Sequence, residues 1–122
     1  MRRLPDSEFE IMDIIWKLDK AVVSADIQEH IANKGNKINT IISYLKRLEN
    51  KNFISSEKIG KERYYKAIVS KDEYLKFETA LFFKQYHNNS ILSFVNSLIK
   101  SNSIEESELQ KLKEEIRRYS DE

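Results

Sequence analysis

Lys37-Ile38-Asn39-Thr40-Ile41-Ile42-Ser43-Tyr44-Leu45-Lys46-Arg47-Leu48-Glu49-Asn50-Lys51 is the stretch on which the fold turns. Ile38, Ile41, Ile42, Leu45 and Leu48 recur at helical spacing, so one side of a helix over 37–51 has to be buried. The opposite arc carries Asn39, Thr40, Ser43, Tyr44 and Arg47, hydrogen-bonding side chains of modest length. Glu49 is the one acid in the stretch. A helix with an apolar back and a polar, acid-poor front has what a DNA-reading helix needs, because its back must dock on a core while its front meets base edges. An ordinary amphipathic helix accounts for the periodicity equally well, but less well for the scarcity of acids.

Working outward, the period changes from helical to alternating. Phe53 to Ile59 reads as a strand, Gly60-Lys61-Glu62 as a turn, and Arg63 to Val69 as the returning strand, rich in aromatic and β-branched residues. Toward the N-terminus, Asp6 is placed to cap a first helix whose Phe9, Met12 and Trp16 share a face. Lys20 to Val23 is a short connection. Ser24 is placed to cap a second helix over Ala25 to Asn33, and Lys34-Gly35-Asn36 is a turn. Three helices followed by a hairpin is the order of a winged helix. The basic tip of the hairpin (Lys58, Lys61, Arg63) is then where a wing touches phosphates.

Charge supports a polyanion contact in this region. Between residues 34 and 66 nine basic residues stand against three acidic ones, although the whole chain carries only +1. From residue 71 onward acids outnumber bases by ten to eight. A basic middle beside a neutral-to-acidic tail suggests a contact confined to one part of the chain, although a solvated basic face is the simpler alternative. Arg47 is expected to meet phosphate or guanine, Asn39 to read adenine, and Thr40 and Ser43 to bond phosphates or bases. Lys37, Lys61 and Arg63 are expected at phosphates. Tyr44 is open between phosphate contact and packing.

The tail is helical again. Ser70-Lys71-Asp72-Glu73 and Ser103-Ile104-Glu105-Glu106 both fit the Ser-x-x-Glu capping box and predict helices over 71–86 and 104–119. His87-Asn88-Asn89-Ser90 breaks the chain before a short helix ending near Lys100. These helices carry Tyr74, Phe77, Phe82, Tyr86, Ile91, Leu92, Ile99, Leu112, Ile116 and Tyr119, more apolar surface than a short helical run easily encloses. Pairing with a second copy would cover it and set two reading helices about one DNA turn apart, matching a palindromic site. Packing back on the first domain as a monomer is the alternative. The expectation is therefore a mainly α protein, with a winged helix-turn-helix domain over 1–70 and a helical dimerisation domain over 71–122.

Composition excludes several classes. With 40% hydrophobic and 34% charged residues the chain can bury a core. No apolar run approaches the roughly 20 residues that span a bilayer. The opening MRRLPDSEFE turns acidic too early for a signal peptide, so a cytoplasmic protein is expected. The absence of cysteine removes disulfides, thiolate metal sites and cysteine nucleophiles. His30 and His87 stand alone, no Gly-rich phosphate loop or nucleophile motif occurs, and the Glu pairs lie on charged helix faces. Neither an enzyme nor a cofactor is expected.

Several of these segments resemble one family. Ser7-Glu8-Phe9-Glu10-Ile11-Met12-Asp13-Ile14-Ile15-Trp16 resembles the opening of the BlaI/MecI/CopY repressors, Thr40 to Lys51 their recognition helix, and Arg63-Tyr64-Tyr65 their returning wing strand. His87-Asn88-Asn89-Ser90 resembles a variant of their His-Gly-Gly-Ser-type break between tail helices. The resemblance implies a transcriptional repressor acting as a homodimer on a dyad operator. It implies induction by β-lactams, through a membrane sensor protease acting upstream and leading to repressor cleavage, or by copper. The copper branch uses a C-terminal cysteine cluster, which a chain without cysteine excludes. The cleaved Asn-Phe bond of the β-lactam branch aligns with Ser97-Leu98, a departure. Ile42 stands where the resistance repressors carry Arg, so this position offers only apolar contacts, such as with a thymine methyl. A winged helix that binds protein rather than DNA is the second reading that the fold permits.

Overall fold

The computed structural model describes residues 1–32, 35 and 37–120. In chain order these form α1 (Asp6–Leu18), α2 (Ser24–His30), α3 (Ile38–Asn50), β1 (Ile54–Ile59), β2 (Glu62–Ala67), α4 (Lys71–His87), α5 (Ile91–Lys100) and α6 (Glu106–Ser120). This is the expected winged helix followed by helices. Two compact units are distinguishable, Met1–Glu78 and Thr79–Glu122.

The first unit is built around one core. Ile11, Met12 and Ile15 of α1 meet Ile27 of α2 and Ile41, Leu45 and Leu48 of α3, with Phe53, Ile54 and Tyr65 closing it from the hairpin. Burying these side chains supplies most of the stabilisation, at roughly 1.5–3 kcal/mol for each large one. Strand β1 pairs antiparallel with β2 from Ile54 opposite Ala67 to Ile59 opposite Glu62. Gly60 has φ +66° and Lys61 does not share its positive φ, the pattern of a type II′ turn, whose twist suits a two-residue hairpin. A third segment joins the hairpin. Val22 exchanges both backbone hydrogen bonds with Tyr65, at 2.9 and 2.7 Å, so the connection expected over 20–23 is also a bridge that fixes the hairpin beside α2.

Several helix ends differ from the sequence expectation. Pro5, not Asp6, is the residue before α1. Its carbonyl accepts from the Phe9 N–H, and Asp6 lies inside the first turn, where a carboxylate favours the helix dipole. Val23, not Ser24, precedes α2, and Asp26 Oδ2 accepts its N–H at 3.1 Å. Helix α2 stops at His30 because Ile31 turns extended and sinks into the core. Of the turn expected at 34–36, Lys34 and Asn36 lie outside the described residues, as does Asn33. Ser70 caps α4 as expected, its Oγ accepting the Glu73 N–H at 3.1 Å, and its hydroxyl donates to the Glu73 carboxylate at 3.2 Å, so the reciprocal bond goes through the hydroxyl in place of the backbone N–H of a full capping box. Ser103 does not cap α6. Its N–H instead bonds Leu98 and that of Asn102 bonds Ile99, so it completes the end of α5.

Tyr74 carries the start of α4 into the first unit. Its ring is fully buried among Phe9, Trp16, Phe53 and Phe77, at centroid distances of 5.6–6.2 Å. Its hydroxyl accepts the Leu4 N–H at 2.7 Å. Burial pushes its pKa up to about 12 against the pull of that donor, so the ring stays neutral. Trp16 Nε1 donates to the Val69 carbonyl at 2.9 Å, fixing the chain between β2 and α4.

The second unit has no fully buried side chain among its described residues. Phe82, Phe83, His87 and Phe94 pack mostly edge to face, with centroids 5.2–6.4 Å apart, where α4 meets α5. Ser90 caps α5 by accepting from the Ser93 N–H, as the break at 87–90 suggests. Phe82, Tyr86, Ile91, Leu92, Ile99, Ile116 and Tyr119 are exposed.

Candidate nucleic-acid interface

The buried stripe of α3 fixes what its other side can do. With Ile41, Leu45 and Leu48 pinned in the core, Asn39, Ser43 and Arg47 are turned outward and exposed, and Thr40 and Tyr44 are half-buried at the edge. Lys37 stands exposed at the N-cap. Asn39, Ser43 and Arg47 follow i, i+4, i+8 and so form one row along the front. Within it, Ser43 Oγ donates to the Asn39 carbonyl at 3.0 Å. The Ser43 hydrogen is thereby occupied, which leaves that oxygen an acceptor, suited to an adenine or cytosine amino group rather than to a phosphate. The Arg47 guanidinium lies 5.6 Å from the centre of the Tyr44 ring, which is itself partly buried against the core.

Beside this row lies a groove of about 640 Å³ between α3, the start of α2 and the hairpin. Ile42, Lys46 and Glu49 line it from α3, and Lys61, Arg63 and Tyr65 from the hairpin. The fold thus brings three expected residues (Ile42, Lys61, Arg63) to one groove, while Asn39, Thr40, Ser43 and Arg47 stay on the helix front. Lys46 is a groove residue that the sequence reading left out of the site. Its position one turn after Ile42 is the signal that places both on the same edge. Lys58 and Arg63 are directly opposite across the hairpin. Like charges in that position repel, an arrangement that a facing polyanion relieves.

Two acids, Glu49 and Glu62, line the groove beside these cations. Glu49 Oε2 accepts from Ser56 Oγ at 2.6 Å, which turns it toward the wing. Glu8, on α1, is buried and its Oε1 lies 2.6 Å from Lys51 Nζ, with the two side chains 3% and 18% exposed. Lys51 therefore closes the helix against α1, and its charge is spent inside the protein. Burial pushes the Tyr65 hydroxyl above its usual pKa, with Arg63 drawing it down and Glu49 raising it again. Among the described residues no cluster of His, Asp and Glu could hold a metal ion.

Ser97 and Leu98 lie in the second half of α5, Ser97 exposed and Leu98 half-buried. The Ser97 carbonyl accepts from the Ser101 N–H, and that of Leu98 from the Ser103 N–H and Ser101 Oγ. This bond is held helical at both ends.

An acid-poor helix with one buried face, a basic hairpin and a helical tail define the architecture, and comparison with known proteins gives it a family. The penicillinase repressor family matches residues 4–118. The chain belongs to this family. It is 24% identical over 115 residues to the penicillinase repressor of Bacillus licheniformis, covering 92% of this chain and 90% of that protein. Members of the penicillinase repressor family are DNA-binding transcriptional regulators and not enzymes, and this chain is a transcriptional repressor. No helix among the described residues is long and apolar enough to cross a membrane.

Proposed function

We propose that this repressor acts as a homodimer on a palindromic operator, with α3 of each copy in the major groove and each hairpin on the flanking phosphates. The row Asn39, Ser43, Arg47 carries the reading. It is exposed, free of acids, and backed by a helix face fully committed to the core. Thr40 and Ile42 extend it at the edges, Ile42 as an apolar contact to a thymine methyl. Lys37, Lys61 and Arg63 supply phosphate contacts at the two ends of the surface.

The exposed apolar side chains of α4–α6 support the homodimer. Leu92, Val95 and Ile99 lie at i, i+3 and i+7 on α5, a stripe that a second copy would cover. The name of the Bacillus relative ties that protein to penicillinase. By that likeness β-lactam resistance genes are the proposed targets. The matching route of induction is a membrane sensor protease acting upstream, with cleavage at Ser97-Leu98. Because that bond is helical at both ends, cutting there requires α5 to unwind first.

Gel-shift titration tests the central claim, using the tightest duplex selected by the wild-type chain from a random-sequence pool. Arg47→Ala is expected to weaken binding by about 1–3 kcal/mol. Affinity of the wild type is expected to fall steeply with salt, because phosphate contacts release counterions. Equal affinities for wild type and variant would remove Arg47 from the interface, and a flat salt dependence would remove the phosphate contacts.

A further inference from the structure

Glu49 is an acid on the DNA-reading helix, where a negative charge opposes binding. Its surroundings give it a different task. The Ser56 hydroxyl has one hydrogen and gives it to Glu49 Oε2 at 2.6 Å, while its oxygen accepts from Arg63 Nη1 at 3.0 Å. A chain of two directed bonds therefore runs from the last turns of α3, through β1, to β2. Glu49 and Ser56 are half-buried and Arg63 is exposed, so the relay is anchored at its inner end and open at its outer one. One of five N–H donors of Arg63 is used in this way, and the rest are available to a phosphate.

We propose that Glu49 and Ser56 are positioning residues for operator binding, holding the Arg63 guanidinium of the wing in fixed register with the recognition helix. The inference rests on the reading above that Arg63 meets a DNA phosphate. Its physical content is preorganisation. An exposed arginine loses rotamer freedom when it docks, and a side chain already held loses less. The relay also offsets the repulsion between Arg63 and Lys58, which are opposite each other in the hairpin. Because the anchor is on α3 itself, helix and wing engage the groove and its flanking phosphate as one rigid surface.

The test is a double-mutant cycle on the full chain, with the selected duplex as probe and thermal unfolding recorded for each variant. Arg63→Ala is expected to weaken binding and to reduce the slope of log affinity against log salt by about 0.9. Ser56→Ala, which changes no charge, is expected to weaken binding about two- to tenfold, the range of one hydrogen bond. Ser56→Thr keeps the hydroxyl and is expected to bind like the wild type. In the Arg63→Ala background, Ser56→Ala is expected to have no further effect. If it costs the same in both backgrounds, Ser56 acts only through the fold and the positioning role is overturned, while the Arg63 contact stands. If Arg63→Ala changes neither affinity nor salt slope, the phosphate contact itself fails and the proposal falls with it.

Discussion

Glu8 is a carboxylate placed where hydrophobic residues belong. It follows Ser7 and precedes Phe9 in a segment that reads as an amphipathic helix, and its acidity suggests a solvent position near the helix start. Instead it is buried against Lys51 at 2.6 Å, 43 residues away. Periodicity cannot reveal such a pair, because each partner alone looks like a surface charge. Breaking a buried pair leaves one charge without compensation and costs more than the pair gains. Glu8→Ala is accordingly expected to destabilise the first unit by about 3 kcal/mol in chemical denaturation. Replacing both residues with well-packed apolar ones, as in Glu8→Leu with Lys51→Met, is expected to recover much of that loss. A Glu8→Ala loss below about 0.5 kcal/mol, the range of a surface ion pair, would place this contact outside the core. The polar front of α3 is the opposite case. The outward placement of Asn39, Ser43 and Arg47 is legible in the sequence because Ile41, Leu45 and Leu48, buried on the other face, leave them one direction to point.

At the scale of elements, helix and strand identities follow from period alone, and the ends do not. Helix α3 shows why. The chain has only two glycines, so most helix ends must be made without one. Asn52 takes the left-handed conformation at φ 64°, its N–H bonds the Glu49 carbonyl at 3.0 Å, and the Phe53 N–H bonds that of Leu48 at 3.0 Å. Phe53 and Leu48 are both buried, so the motif closes with an apolar contact. Asn88, Asn89 and Asn102 adopt the same conformation at later breaks. Asparagine tolerates it through its short polar side chain, and a β-branched residue does not. Asn52→Val is expected to lower stability by about 1–2 kcal/mol, and Asn52→Gly to leave it unchanged or raise it. Because this cap aims the last turn of α3, and with it Glu49, Asn52→Val is also expected to weaken DNA binding, whereas Asn52→Gly is not. Unfolding curves and gel shifts on the two variants separate these effects. The caps expected at Asp6, Ser24 and Ser103 fail for separate reasons: the Pro5 carbonyl takes the Phe9 N–H, Asp26 takes the Val23 N–H through its side chain, and Ser103 closes α5 with its own N–H.

For the whole molecule, the question is what covers the apolar side chains of the second unit. Leu92 is 69% exposed and Tyr119 72% exposed, and no described side chain beyond Thr79 is fully buried. Scattered surface apolar residues are normal, but exposed apolar side chains recurring on three consecutive helices, with none fully buried, favour an interface. The surplus is visible in the composition of the tail alone, whereas its partner is not encoded in periodicity. If the partner is a second copy, two-fold pairing makes each contact twice, so one charge on the stripe introduces two facing charges. Leu92→Asp tests this with little cost to the protomer, since the side chain is not needed to fill its core. The wild type is expected at about twice the 14.5 kDa chain mass in light scattering at micromolar concentration, and Leu92→Asp at the chain mass itself. A monomeric chain engages one half-site at a time and loses the effective concentration that a dimer provides, typically a factor of about 10²–10⁴. Leu92→Asp is therefore expected to lose operator affinity by that order while retaining the helix content and the melting profile of the first unit. A wild-type chain already monomeric at these concentrations would remove α5 as a pairing surface. A Leu92→Asp chain that stays dimeric and binds normally would move the interface off the Leu92 stripe, to the face of α6 bearing Ile116 and Tyr119.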